Sequence, residues 1–317
     1  MHVSILLLFI IAFTAYLCGF FNTYKKADLA YNNLHDTTLI EFLTQHKTKK
    51  KDYTRIPKGF ATYSKSLIGK RIKDTAVFRY EYPLVNHKRS IYETILHPPE
   101  ISKQVDFYGV EDRFIIKTEN GFRLNTTLPE HDFQKSMNKD GWFFNSFVDA
   151  GIDYAYLVKK YAHFSSDIAK QIYTDLSKNG DDSYFNRVQA ALNFVQFIPY
   201  GRPDLDARGW YYHEIGVPPE VFIMGYGDCD SKSVFFASII MNLIPVENIV
   251  LVECLVKSSN ENTNGAHMMV AVSDLGISGE FVNFNNTDYL LLETTQPIAI
   301  GQFDWASFES TKIISLN

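Results

Sequence analysis

One cysteine stands where small and acidic residues meet a long apolar run. Cys229 lies in the stretch "GYGDCDSKS", directly between Asp228 and Asp230, and the next segment, "VFFASIIMNL", is apolar nearly all round a helix. Such a helix is typical of a domain interior. The change from small and acidic residues to apolar ones predicts that the helix starts here, with Cys229 in its first turn. Backbone N–H groups left unpaired at a helix start favour the reactive thiolate, whereas the two aspartates oppose it. The pattern therefore indicates a nucleophilic thiol that needs a basic partner.

Two later residues have the types and the spacing that a thiol nucleophile requires. His267 opens the apolar segment "HMMVAV" 38 residues after Cys229, and Glu293 closes "YLLLE" 26 residues after His267. An imidazole accepts the thiol proton, and a carboxylate bound to the other ring nitrogen fixes the tautomer of that imidazole. His213 is a rival base. A core-edge role for His267 and an ordinary strand-end charge for Glu293 are the structural alternatives.

These segments resemble the transglutaminase-like branch of the papain-like superfamily over about residues 184–297. The likeness comprises a helix that ends near "IPYG", the cysteine helix, the strand "GAHMMVAV" and the segment "YLLLETTQP". The stretch "PPEVFIMGYGDCDSKS" is similar to bacterial transglutaminase-like cysteine peptidases, which often carry a Pro-Glu pair shortly before Gly-Asp-Cys. The resemblance implies Cys229 as the nucleophile, His267 as the base and Glu293 as the orienting acid.

The resemblance also implies an activity, which is thiol acyl transfer onto a peptide bond or a Gln side-chain amide, with hydrolysis favoured. The expected oxyanion donors are the backbone N–H of Cys229 and one side chain, either Gln196 or Trp210. The alternative is a catalytically inactive transglutaminase-like binding or scaffold module, because the family's acid is usually Asp and Met268 stands where an aromatic is common. A papain-type protease proper fits poorly, since that family keeps its cysteine far upstream of its histidine.

No cofactor is predicted, although some relatives hold calcium through acids beside the nucleophile. Asp228 and Asp230 would be the calcium ligands in that case. Both acids also suit a helix start without a metal. Asp228 is the predicted N-cap, and Asp230 lies in the first turn, where negative charge complements the helix dipole.

An antiparallel sheet packed on the cysteine helix would bring the three residues together. Segments rich in apolar and β-branched residues predict its strands at 249–256, 266–272, 280–284 and 289–293. The segments "SSDIAKQIYTDLSK" and "SYFNRVQAALNFVQFI" have helical spacing and precede the cysteine helix. Cys254, inside the first of these strands, is predicted to be a small buried core residue.

The sequence thus predicts an α+β fold with a transglutaminase/papain-like core, in which the buried nucleophile helix packs on an antiparallel sheet. A small β-rich region and an N-terminal transmembrane helix precede this core. The predicted divisions are a membrane anchor at 1–22, a linker at 23–56, a β-rich region at 57–149 and the transglutaminase-like catalytic domain at 150–317.

The anchor prediction rests on residues 3–21, an uncharged segment about one bilayer thickness long as a helix. The segment lacks the basic start and the small-residue cleavage site of a secretory signal. Lys25 and Lys26 follow it and favour a body on the cytoplasmic side. The family resemblance favours the envelope or periplasmic side, so the orientation stays open.

The composition and net charge of the chain limit the classes of molecule that it is expected to bind. The chain has 317 residues, of which 46% are hydrophobic and 15% aromatic, enough to bury a large core. The net charge of −5 gives no attraction to nucleic acid, and three cysteines do not make a disulfide framework. The predicted partners are a protein or peptide substrate and, through the N-terminal helix, the membrane.

Overall fold

The computed structural model describes several stretches of the chain, and every structural statement below refers to them. They are residues 70–72, 75–96, 110–118, 121–137, 141–201, 211–212, 215–256, 266–302 and 308–317. The predicted anchor at 1–22 and linker at 23–56 lie outside the described residues. No helix in these stretches combines the length and the apolarity that crossing a bilayer requires.

Antiparallel strand pairs dominate the first part of the described chain. The elements are β1 (Lys70–Ile72), β2 (Thr75–Pro83), β3 (Arg89–Leu96), β4 (Val110–Glu111), β5 (Ile115–Thr118), β6 (Gly121–Leu124), α1 (Glu130–Met137), β7 (Trp142–Ser146) and β8 (Asp149–Ile152). The first three strands form one sheet, while β5–β6 and β7–β8 are separate pairs. Helix α1 packs among them through Phe133, whose ring lies against those of Phe114 and Phe144.

Helices follow in the second part of the chain. They are α2 (Tyr154–Asn179), α3 (Tyr184–Gln196), α4 (Pro218–Met224) and α5 (Cys229–Ile240), with the short strand β9 (Tyr211–Tyr212), which pairs with β4, between α3 and α4. The side chains of Asp153 and Ser183 accept hydrogen bonds from backbone N–H groups of the first turns of α2 and α3. These caps satisfy donors that would otherwise lack partners. The helical spacing predicted for both segments is confirmed.

One antiparallel sheet lies beside helix α5. Its strands are β10 (Ile249–Val256), β11 (Ala266–Val272), β12 (Phe281–Phe284), β13 (Thr287–Leu292) and β14 (Phe308–Ser315), in the order β12-β13-β11-β10-β14. The four strands predicted from the sequence are present, whereas β14 was not predicted. Alternate residues of β11 and β13, such as Val270 and Leu292, belong to the same buried cluster as the side chains of α5. The mixed α and β character, with a buried helix on an antiparallel sheet, is as expected.

The larger of the two buried hydrophobic clusters among the described residues includes side chains from both parts of the chain. The Tyr80 hydroxyl donates a hydrogen bond to the Phe194 carbonyl at 3.0 Å, and their rings meet edge to face with centroids 4.8 Å apart. Tyr92 packs in the same manner against Phe222 of α4. The β7–β8 pair spans the division predicted at residue 150. The sheet β1-β2-β3 therefore packs directly against helices α3 and α4, which lie next to the candidate site.

The first prediction concerns this aromatic contact. Phe194 is fully buried and meets the rings of Tyr80 and Tyr82. Phe194→Ala leaves a cavity between α3 and β2, so we expect the free energy of unfolding to fall by about 3–5 kcal/mol. Urea unfolding of the full chain measures it. Val148→Ala, at a residue 97% exposed, is the control and should change stability by less than about 0.5 kcal/mol. Equal effects of the two variants would contradict the shared core.

Candidate active site

Glycines allow the chain to approach helix α5 closely at its start. Gly225 ends α4 in the left-handed conformation, with φ 72°. The N–H of Gly227 donates to the Pro199 carbonyl at 3.2 Å, and its carbonyl accepts from the Gly201 N–H at 3.1 Å. A Cβ at Gly227 would lie 3.2 Å from side-chain atoms of Lys232 and of two other residues, which is closer than ordinary contact. The turn after α3 is thereby held against the residue that precedes Asp228.

Helix α5 begins at Cys229, as predicted, but Asp228 does not cap it as expected. Asp228 occupies the N-cap position, yet its side chain makes no hydrogen bond to a backbone N–H of the first turn. Its carboxylate accepts instead from the Ser231 hydroxyl. Asp230 lies in the first turn, as predicted, and accepts from the Tyr154 hydroxyl at 3.3 Å. Cys229 itself is partly exposed.

The structure brings His267 and Glu293 into direct contact. His267 is the second residue of β11, and Glu293 directly follows β13. The two side chains therefore come from the ends of two neighbouring strands. His267 Nε2 and Glu293 Oε2 are 2.7 Å apart, and the carboxylate side chain is only 4% exposed. Glu293 Oε1 accepts from the backbone N–H of Thr295 at 2.6 Å and from its hydroxyl at 2.5 Å. Three hydrogen bonds therefore fix this carboxylate.

This contact determines the tautomer of the imidazole. Burial raises the pKa of Glu293, but the hydrogen bond and charge of His267 and the two Thr295 donors outweigh burial and hold the pKa below its ordinary value. An ionised carboxylate only accepts hydrogen bonds, so His267 Nε2 must carry a proton. In a neutral ring Nδ1 is then the nitrogen with a lone pair. Nδ1 is the atom able to accept a proton from a thiol.

The sulfur of Cys229 interacts with the backbone of Met268, the residue that follows His267. The backbone N–H groups of Met268 and Asp230 donate hydrogen bonds to the Cys229 sulfur and favour the thiolate. Burial opposes them, together with the charges of Asp230 and then Asp228, and the balance raises the pKa of Cys229 to about 12. The thiol is therefore protonated at neutral pH. The helix start alone does not generate a thiolate, and the need for a base follows from the charges around it.

Three consecutive polar residues follow Cys229 and Asp230 in helix α5, and all three are fully buried. Ser231 accepts from the Gly216 N–H at 2.8 Å, and Lys232 donates to the Ile198 carbonyl at 2.5 Å. Ser233 donates to the Met268 carbonyl at 3.0 Å. Neither Lys232 nor Ser233 has a role predicted from the sequence. Their signal was available, because polar side chains in a helix that is apolar all round must find buried partners.

Lys232 places a cation inside the core near the Glu293 carboxylate. Burial lowers the pKa of Lys232 to about 7, and the charge of Glu293 opposes this effect by favouring the protonated form. The acceptor of the ammonium, the Ile198 carbonyl, lies two residues beyond Gln196. The Gln196 amide in turn donates to the backbone carbonyl of Glu293 at 2.8 Å and to that of Ile298 at 2.9 Å.

The other residues singled out by the sequence have different outcomes. Gln196 commits both amide hydrogens to backbone carbonyls and supports the turn that carries Glu293. The choice between Gln196 and Trp210 as the oxyanion donor stays open. Cys254 is buried, as predicted, and pairs across the sheet with His267, to whose carbonyl its thiol donates at 3.4 Å. Trp210 and His213 lie outside the described residues.

The acids beside Cys229 do not assemble a metal site in the described part of the chain. No group of three or more His, Cys, Asp or Glu side chains is arranged there to hold an ion. Asp228 is engaged by Ser231, and Asp230 by Tyr154 and the backbone N–H of Ser231. Hydrogen bonds within the protein account for both carboxylates.

Comparisons with known proteins give distant likenesses to solved structures. The chain matches no protein-family model and no curated protein sequence. Solved structures of LapG from Legionella pneumophila, one calcium-bound and one EGTA-treated, align with a TM-score of 0.33 at 11% identity. The alignments cover 51% of this chain and 83% and 81% of the two LapG chains. A TM-score this low carries no argument about fold or activity, and the site is interpreted from its own geometry.

The second prediction tests the charges around the thiol. Asp230→Asn removes the charge that raises the Cys229 pKa most after burial, while the amide oxygen keeps an acceptor for Tyr154. We expect the pKa of Cys229 to fall by about one unit. The midpoint of the pH dependence of Cys229 alkylation by iodoacetamide measures it. Asp149→Asn, at an exposed carboxylate of β8, is the matched control. An unchanged or raised midpoint in Asp230→Asn would contradict this account.

The third prediction concerns buried Lys232. Its folded-state pKa of about 7 lies below the ordinary 10.5, so between these pH values the unfolded chain binds more protons at this residue than the folded chain. The contribution of Lys232 to the free energy of unfolding must therefore rise with pH in that window and stay constant below it. Urea unfolding of wild type and of Lys232→Met at about pH 7 and about pH 9 measures the difference. A constant difference would show that the lysine titrates normally.

Proposed function

We propose that this chain is a membrane-anchored transglutaminase-like cysteine peptidase. Cys229 is the nucleophile, His267 the general base and acid, and Glu293 the residue that orients His267. The observation that carries the proposal is the 2.7 Å contact between His267 Nε2 and Glu293 Oε2, beside a strand residue whose N–H faces the Cys229 sulfur. A thiol, an imidazole and a carboxylate in this order are the parts that thiol acyl transfer uses.

The raised pKa of Cys229 determines how the reaction begins. Because the thiol holds its proton at rest, His267 acts as a general base when the substrate carbonyl is bound, and a standing thiolate is not required. The proton moves from Sγ to Nδ1 as sulfur attacks the carbonyl carbon, and the imidazolium is stabilised by ionised Glu293. The backbone N–H of Cys229, in the first turn of α5, is a donor for the oxyanion.

The acyl-enzyme completes the cycle. When the tetrahedral intermediate collapses, the carbon–nitrogen bond breaks and the leaving amine takes the proton from His267. Water then attacks the thioester while His267 accepts one of its protons, and this proton returns to sulfur as the carboxylic product leaves. With an amine in place of water the product is a new amide, so hydrolysis and transfer share every residue. We propose hydrolysis of a peptide or of a Gln side-chain amide.

Calcium has no step in this mechanism. One of the LapG structures is calcium-bound. In this chain, Asp228 and Asp230 are the acids that the sequence offers as calcium ligands. Here Asp228 and Asp230 already have hydrogen-bonding partners within the protein, and the described residues supply no third acidic ligand. No step is therefore assigned to calcium from the residues that the structure describes.

The remaining parts of the proposal concern location and partners. The uncharged segment 3–21 supports an anchor at residues 1–22, which would hold the catalytic body at a membrane surface. The substrate is a protein or peptide, since an acidic chain with net charge −5 does not favour nucleic acid. The family resemblance favours the envelope or periplasmic side for the body, whereas Lys25 and Lys26 favour the cytoplasmic side, so the orientation stays open.

A binding or scaffold module without catalysis is the second candidate. The observations that favour it are the raised pKa of Cys229, which keeps the resting thiol protonated, and the presence of Glu293 and Met268 where the resembled family usually has Asp and an aromatic residue. The two candidates make opposite predictions for covalent labelling by a substrate-like electrophile.

The fourth prediction uses this difference. The full chain is incubated with a mixture of biotinylated peptide vinyl sulfones, and the labelled residue is identified by mass spectrometry. We expect labelling of Cys229 in wild type and in Cys254→Ala, the matched control at the buried cysteine. His267→Ala and Glu293→Gln should lower the labelling rate by about a hundredfold, because they remove the base or its tautomer.

Three outcomes would contradict the peptidase. They are labelling of Cys254 in preference to Cys229, labelling of Cys229 that is indifferent to His267→Ala, and no labelling of a correctly folded wild type. The last result, with cellular function retained by Cys229→Ala, would support the scaffold module.

A further inference from the structure

Strands β11 and β13 stop pairing just before they reach the two partners of the candidate site. Their residues pair as Val272 with Leu290, Ala271 with Leu291 and Val270 with Leu292, and β13 then ends. Continuing this register by two residues would set Met268 opposite Thr294. Alternation along a strand directs the backbone groups of residue 268 to the same side as those of Val270, which is the side of β13. The polar groups of Met268 therefore face a position that the neighbouring strand has vacated.

The hydroxyl of Ser233 occupies this position. Ser233 Oγ is 3.0 Å from the Met268 carbonyl oxygen and 3.1 Å from Thr294 Oγ1, and both hydroxyl side chains are fully buried. A carbonyl accepts only, so the single hydroxyl hydrogen of Ser233 is given to Met268. Thr294 must then be the donor to Ser233. One side chain from helix α5 thus bridges the two strands at the point where they separate.

Ser233 shares a helix face with the candidate nucleophile. Residues four apart in a helix lie one above the other, so Cys229 and Ser233 both face β11. The Cys229 sulfur receives the N–H of Met268, while Ser233 Oγ gives its hydrogen to the carbonyl of the same residue. Together they replace both hydrogen bonds that a continuing strand would have made. These two contacts fix the position of helix α5 relative to Met268, the residue that follows His267.

We propose that Ser233 is a positioning residue, whose hydroxyl keeps β11 and the turn after β13 apart and holds both against helix α5. This inference rests on the proposed function, because it assigns the geometry of Cys229, His267 and Glu293 to a fourth side chain. Ser233 touches none of the reacting atoms. It acts through Met268, the neighbour of His267, and through Thr294, the neighbour of Glu293.

Loss of the hydroxyl has a specific consequence. Without it, the Met268 carbonyl and the Thr294 hydroxyl are left buried without this partner, and the strands regain the freedom to close on each other. Closure would shift Glu293 along His267 and would draw the Met268 N–H away from the Cys229 sulfur. That N–H favours the thiolate, so its loss raises the pH at which Cys229 reacts.

The experiment compares four variants of the full chain. Ser233→Ala removes the bridging hydroxyl, and Thr294→Val removes its donor at nearly constant volume, whereas Thr294→Ser retains a hydroxyl. Ser238→Ala is the matched control, because it is the same substitution at a fully buried serine of the same helix whose partners, Ser165 and the Phe235 carbonyl, lie away from the site.

The measured quantity is the rate of Cys229 alkylation by iodoacetamide as a function of pH, a reaction that needs no substrate. None of these variants alters the charged and titratable groups around the thiol: Asp228, Asp230 and Lys232 on and beside helix α5, His267 on β11 and Glu293 after β13. Circular dichroism confirms that each variant is folded.

We expect Ser233→Ala and Thr294→Val each to move the alkylation midpoint upward by about one pH unit, which lowers the rate near neutral pH about tenfold. The double variant should be no slower than either single variant, because all three break the same bridge. Thr294→Ser and Ser238→Ala should match wild type. If Ser233→Ala does not fold, the contrast between Thr294→Val and Thr294→Ser decides the matter.

A Ser233→Ala profile that coincides with that of Ser238→Ala would overturn the positioning role, as would equal profiles for Thr294→Val and Thr294→Ser. Failure of the proposed function is seen separately, as absence of peptide vinyl sulfone labelling in wild type. In that case the alkylation profiles still report whether Ser233 holds the thiol against β11.

Discussion

A polar first turn buried in an apolar core is the constraint on which the candidate site depends. Helix α5 is buried on all sides from Ser231 to Ile240, so no water is available to the polar side chains of Ser231, Lys232 and Ser233. A buried hydroxyl or ammonium without a partner costs several kcal/mol, roughly the margin by which a domain is stable. Each of these side chains must therefore be met by a different neighbouring segment. Ser231 fixes the loop before α4, Lys232 the turn after α3, and Ser233 the ends of β11 and β13.

The same burial sets the charges of the site. Burial shifts the pKa values of Glu293, Lys232 and the partly exposed Cys229. Hydrogen bonds nevertheless hold the Glu293 pKa low, while the neighbouring aspartates add to the rise at Cys229. Lys232 partly balances the ionised Glu293 from within the core. At rest the site thus holds an ionised carboxylate, a protonated thiol and an imidazole whose Nε2–H points at the carboxylate. This distribution suits proton transfer on substrate binding better than a permanent thiolate–imidazolium pair.

Local patterns in the sequence were sufficient to predict most of the elements that form the candidate site. Amphipathic spacing located α2 and α3, apolar β-branched runs located four strands of the sheet, and the contrast between "GYGDCDSK" and the apolar run located the start of α5. His267 and Glu293 were predicted as partners and lie 2.7 Å apart. Their catalytic roles, and that of Cys229, stay predictions. Strand β14 was missed, because "FESTKIIS" mixes charged and polar with apolar residues and lacks the apolar, β-branched run of its neighbour β10.

The sequence alone predicted the candidate reactive groups and the elements on which they lie, because hydrophobic spacing and residue type are local properties. It did not contain the partners of Asp228, Gln196, Lys232 and Ser233. Asp228 suited a backbone cap by type, yet it binds the Ser231 hydroxyl, and Gln196 suited an oxyanion donor, yet it holds two carbonyls of the turn that carries Glu293. Such choices depend on which groups of distant segments arrive within about 3 Å, a distance at which hydrogen bonds form or fail. Only the packed sheet and helices fix that distance, since the residues that meet lie tens of positions apart in the chain.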